Sequence, residues 1–125
     1  MDKLPEVGQL LYKEIKKNDG QLAYVSLIFV DTPIKEGEQW MYTQIALMED
    51  FGNGLEVYTG IESGGMPPKS ISPATDEQIK IFVDNIVKEG ESAAEKLKTW
   101  VNEVENDSIL KNEEKERIKK IVNTL

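Results

Sequence analysis

The sequence predicts an α+β fold: a three-stranded antiparallel β-meander preceded by one helix and followed by three helices, in the order α-β-β-β-α-α-α. Two observations lead there. Apolar residues recur at a period of two between residues 21 and 61 and at helical spacing on either side, and the strand-like segments cluster instead of alternating with helices. The length of 125 residues, 39% of them hydrophobic, suits a single α+β domain spanning 1–125.

Leu4, Val7, Leu11 and Ile15 recur at helical spacing, Pro5 fits a first helical position, and Asn18-Asp19-Gly20 supplies a stop, so helix one is placed at about residues 5–18. Gln21–Asp31 and Gln39–Glu49 are rich in β-branched and aromatic residues and read as strands around an acidic loop. The cluster Asp50-Phe51-Gly52-Asn53-Gly54 is a turn, and Leu55–Ile61 follows as the third strand. Residues 62–74 carry Gly64-Gly65-Met66-Pro67-Pro68 and Pro73, which neither continue a strand nor start a helix, so this is a long connector and the best candidate for a mobile contact segment.

Three helices complete the chain. Thr75 and Gln78 form a capping box ahead of the stripe Ile79, Phe82, Val83, Ile86 and Val87, which ends before Gly90. Ser92 and Glu95 repeat the box ahead of Ala94, Leu97, Trp100, Val101 and Val104. Asn106-Asp107-Ser108 breaks that helix, Asn112 is placed as the cap of the next, and Ile118, Ile121, Val122 and Leu125 face inward.

The odd-numbered positions Ala23–Phe29, Met41–Leu47 and Leu55–Ile61 are apolar apart from Thr43 and Thr59 and mark the core face. The turn at residues 50–54 sets Leu47 near Val57 and Ala46 opposite Tyr58, and the meander puts Tyr24 near Ala46. The even face is neither clearly polar nor clearly core. It holds Tyr24, Trp40, Tyr42 and Tyr58, whose rings join a large apolar body to a polar handle, as a contact surface does. These four, with Met66 and Pro67 of the connector, are the expected partner-binding residues. Helix one, a second copy of the chain, a protein partner or a small ligand would each cover this face.

Histidine and cysteine are both absent, which removes imidazole acid/base chemistry, Ser-His-Asp and Cys-His nucleophiles, thiolate zinc sites and disulfides. Asp31, Glu38, Glu49 and Asp50 could approach one another at the sheet edges and hold Mg²⁺ or Ca²⁺, but their spacing carries no metal motif, and the turn at residue 50 lacks the alternating oxygen ligands and terminal Glu of a calcium loop. Gly64-Gly65 and Lys69-Ser70 stand in the wrong context for a phosphate loop. No catalytic residue, metal ligand or cofactor is expected. The net charge of −8 argues against direct nucleic-acid binding and against anionic membranes, while 11 acidic to 5 basic residues in 1–62 would steer a basic partner. The opening residues carry Glu6, Lys13, Glu14, Lys16 and Lys17, leaving no apolar signal region, and the longest apolar run, 27–30, is far short of a membrane span. A cytoplasmic location is the resulting expectation.

The function these features predict is that of a non-enzymatic protein-binding or inhibitor protein, of immunity, antitoxin or phage-encoded inhibitor type, with a homodimer as a further expectation. A small-ligand-binding domain using the aromatic face and the Gly/Pro connector is the alternative, and a divalent-metal carboxylate enzyme comes third. The expected outcome of a phosphoester, peptide and glycoside panel with Mg²⁺ or Mn²⁺ is no turnover. Turnover abolished by Glu49→Gln or Asp50→Asn would overturn that expectation.

Overall fold

A computed structural model describes residues 4–35, 37–50, 54–106 and 108–123. Five strands come first, β1 (Leu10–Lys16), β2 (Leu22–Val30), β3 (Trp40–Asp50), β4 (Gly54–Gly64) and β5 (Ser72–Pro73), then three helices, α1 (Asp76–Lys88), α2 (Glu91–Asn106) and α3 (Asn112–Val122). The sheet is antiparallel with the order β4-β3-β2-β1-β5. It is a small α+β architecture, but the three-stranded meander preceded by a helix is corrected: among the described residues no helix precedes the strands, and the sheet has five of them.

The segment predicted as helix one is an irregular stretch followed by β1. Val7 forms an isolated parallel bridge with Val30, and Gly8 takes a φ of +76°, which ends any helical path. Leu10 and Tyr12 then face the helices while Leu11 faces the opposite side of the sheet, and all three are buried. A strand buried on both faces shows a continuous apolar run, and that run, with Leu4, Val7 and Ile15 around it, imitates helical spacing. Gly8 is also held by contact. A Cβ there would collide with the carbonyl oxygen of Ile109, because the Gly8 carbonyl accepts from the Lys111 N–H at 3.0 Å and its N–H donates to Val30 at 3.1 Å.

The connector also departs from expectation. Glu62–Gly64 continues β4, and Ser72–Pro73 forms β5 beside β1. Since β4 and β5 lie on opposite edges, the intervening chain must cross the sheet. It crosses the even face, where Ile71 is 1% exposed and packs with Leu11, Ile28, Val30 and Trp40 as a second core.

The main core joins the odd face to the helices, with Val25, Leu27, Phe29, Ile45 and Leu47 against Ile79, Phe82, Leu97, Trp100 and Ile118. Leu47 pairs with Val57 and Ala46 with Tyr58, as the turn geometry predicts. Tyr24 pairs with Met48, which leaves Ala46 as its diagonal neighbour, and Ser26 stands opposite Ala46. The capping box of Thr75 and Gln78 is present on α1. On α2 the Gly90 carbonyl accepts from Ala94 at 3.1 Å, so the helix starts at Glu91 and Ser92 lies inside its first turn; Ala93, not Ala94, is the buried alanine. On α3 the cap is Lys111, with Asn112 already helical. The turn residues 51–53, Asp107 and Leu125 lie outside the described residues.

One polar group sits inside this frame. Glu114 of α3 is 8% exposed; it accepts from the Leu10 N–H at 2.7 Å and from Arg117 Nη1 at 2.6 Å. Arg117 donates further to the Ala74 carbonyl at 2.6 Å and to Asp76 at 2.8 Å.

Two stability outcomes follow from this packing. Trp100, 3% exposed with its ring 6.4 Å from that of Phe29, should lose about 3 to 5 kcal/mol on Trp100→Ala in denaturant unfolding. An unchanged midpoint would remove Trp100 from the core. Glu114→Ala should cost roughly 2 kcal/mol, because it strands the Leu10 N–H and one arm of Arg117, whereas Glu114→Gln keeps an acceptor and should cost less. Equal losses from both substitutions would mean that the acceptor is immaterial.

Candidate functional site

The even face of β2, β3 and β4 carries the aromatic residues that the sequence singles out. Alternation along β2, β3 and β4 sends them to one side, and the unbroken antiparallel register of β3 with both adjoining strands makes them neighbours. Trp40 is 4% exposed and belongs to the second core. Its ring stacks on that of Tyr42 at a centroid distance of 4.3 Å and 25° between planes. The connector therefore covers Trp40, while Tyr42 and Tyr24 are half-buried and Tyr58 is exposed. Met66 is exposed and Pro67 half-buried on the connector.

Two of the three reachable tyrosines, Tyr24 and Tyr58, are held by polar partners. Tyr24 donates from its hydroxyl to Gln44 Oε1 at 2.7 Å, and the Lys13 ammonium lies 5.6 Å from its ring centroid. Tyr58 donates to Glu62, which pairs across the ladder with Tyr42. Burial holds the Tyr24 and Tyr42 phenols above the usual tyrosine range. The hydrogen bond to Glu62 does the same for Tyr58. Burial also raises Tyr12 on the other face, reinforced by its hydrogen bond to Glu14 at 2.6 Å.

A cleft of about 170 Å³ opens between the connector and the strands, lined by Lys13, Tyr24, Trp40, Tyr42, Met66 and Pro68 among others. That is below the roughly 300 Å³ at which small-molecule pockets begin. Larger space lies on the other side of the sheet, where two adjoining hollows of about 580 and 350 Å³ run between β4 and α2 and share Thr59, Trp100 and Glu103. Sequence reasoning missed this groove and the free edge of β4 beside it. Neither has a local signal, because which strand forms an edge depends on the order of all five.

Asp31 and Glu49, two of the acidic residues weighed as metal ligands, lie apart. Asp31 accepts from Thr43 at 2.8 Å near the start of β3, and Glu49 pairs with Lys17 at 2.6 Å near its end, about 20 Å away at strand rise. Among the described residues no group of three Asp or Glu side chains is placed to hold a metal ion. Among the described residues, too, no helix is long and apolar enough to cross a membrane.

The phenol shifts set an alkaline pH dependence. Each folded-state value is raised, so the neutral phenols contribute stability that is complete below the ordinary tyrosine value of about 10 and is lost as pH climbs through the raised values. Tyrosinate absorbance should therefore rise later in the folded protein than in denaturant, and Glu62→Gln should bring its most accessible component back toward the ordinary value. Superimposable curves for the parent and Glu62→Gln would show that Glu62 does not govern Tyr58.

No family model, curated protein or solved structure matches this chain, and its geometry is what bears on function.

Proposed function

We propose that this chain is a non-catalytic protein-binding protein of inhibitor type, such as an immunity protein, antitoxin or phage-encoded inhibitor, which occupies a macromolecular partner through the open part of its even face. The observation that carries this reading is the set of three reachable tyrosines on rigid strands, with the Tyr24 and Tyr58 hydroxyls held by Gln44 and Glu62. Aromatic side chains fixed before binding lose little conformational freedom in a complex and commonly act as its anchors. The acidic surface supports a basic partner. The small-ligand alternative has less support, since the cleft beside these rings holds only about 170 Å³.

The test separates folding from binding. A partner recovered by affinity capture from native lysate is titrated against Tyr58→Ala and Tyr42→Ala, with the melting temperature of each variant recorded. Tyr58→Ala, at an exposed ring, should melt with the parent yet lose about thirtyfold in affinity, the equivalent of about 2 kcal/mol. Full affinity in both variants would move the contact off this face, and early melting of both would show the rings to be structural.

A further inference from the structure

We infer that the partner docks by adding a basic, extended segment to the free edge of β4. This rests on the protein-binding reading above and specifies how the partner is held.

The two edges of the sheet are built differently. β5 is two residues long and ends in Pro73, a short edge that offers little backbone for pairing. β4 runs for 11 residues in unbroken register with β3, from Gly54 to Gly64, without a bulge, proline or lysine. Among the described residues, no backbone hydrogen bond reaches β4 except from β3. In an antiparallel edge strand every second residue directs both its N–H and its C=O outward, so β4 presents a ladder of unmet donors and acceptors. An extended segment fits such an edge, and a helix does not.

Side chains of an added strand would alternate between two surfaces. On one side lies the groove between β4 and α2, beside Ile61, which is 67% exposed and offers contact to apolar side chains. On the other lie Glu56 and Glu62, with Tyr58 between them. Glu95 and Glu103 line the groove from α2, with Lys96 as the one cation lining it among the described residues. The edge is therefore acidic on both sides. A second copy would bring a body of net charge −8 and the same carboxylates against these, which disfavours self-pairing. A strand alternating apolar with Lys or Arg residues complements both the groove and the charge.

The probe is a ten-residue peptide alternating Lys and Val, compared with a Glu/Val peptide and with a Lys/Val peptide interrupted by prolines, each titrated into the full chain. Binding of the Lys/Val peptide alone, weakened by added salt and accompanied by slowed exchange of β4 amides, supports the inference. Glu56→Lys combined with Glu62→Lys should weaken it about tenfold or more at an unchanged melting temperature. If that variant melts early, Ile61→Lys, at an exposed side chain, repeats the test. Equal binding of the proline-interrupted or the Glu/Val peptide overturns the inference, as does protection of amides elsewhere than β4. A dimer of the chain alone with protected β4 amides would assign the edge to a second copy and also overturn it. A captured partner that is lost with Tyr58→Ala but kept at full affinity by the doubly reversed variant would leave the protein-binding reading standing and remove the edge.

Discussion

The placement of the first strand in the interior of the sheet depends on one buried carboxylate. β1 lies between β2 and β5, so its first residues must enter where helices and sheet already converge, and the Leu10 N–H arrives there with no strand partner of its own. Glu114 supplies the acceptor at 2.7 Å, and its second oxygen is held by Arg117, whose other nitrogens reach the Ala74 carbonyl and Asp76. One charged pair thus ties the start of β1, the junction of β5 with α1, and α3. A partly buried carboxylate on its own would be costly, but here both of its oxygens accept hydrogen bonds and its charge is balanced. Gly8 is the steric counterpart of the same junction. Only a residue without a side chain brings the backbone close enough for the Gly8 carbonyl to bond Lys111 at the head of α3.

With β1 fixed inside, the rest of the topology follows. The meander of β2, β3 and β4 grows away from β1, leaving the end of β4 on the far edge while α1 must start beside β1. The Gly/Pro connector spans that distance across the even face and buries Ile71 against Trp40 and Leu11 as it goes. One face is therefore covered by helices and part of the other by irregular chain. What remains open is the β4 side: the edge itself, the groove toward α2, and Tyr58 beyond the reach of the connector.

The parts of this arrangement that were legible in the sequence are those set by local chemistry. The turn at residue 50 specified the pairing of Leu47 with Val57 and Ala46 with Tyr58, and the Thr75–Gln78 box marked the start of α1. Tyr58, Tyr42 and Tyr24 were legible as part of one neighbourhood, with Tyr24 opposite Met48 and diagonal to Ala46. The first strand was not legible as a strand, because burial on both faces erased its alternation and the spacing of Leu4, Val7, Leu11 and Ile15 matched a helix instead. The burial of Trp40 was hidden for a different reason. Its cover, Ile71, lies far along the chain and arrives only because β4 and β5 occupy opposite edges.

Glu62 links the two surfaces on which the functional proposals rest. It lies on the edge strand, accepts the Tyr58 hydroxyl and faces Tyr42 across the ladder, so it raises the Tyr58 phenol through that hydrogen bond and adds its charge to the burial that raises Tyr42. A lysine or arginine of an incoming strand that met Glu62 would compete with the Tyr58 hydroxyl for the same carboxylate. The ring freed in this way would sit beside the new strand, with its hydroxyl available to the partner's backbone. Edge and aromatic face would then act as one surface, in which the acid that repels a second copy of the chain is also the group that a basic strand pairs with and through which the adjoining tyrosine is repositioned.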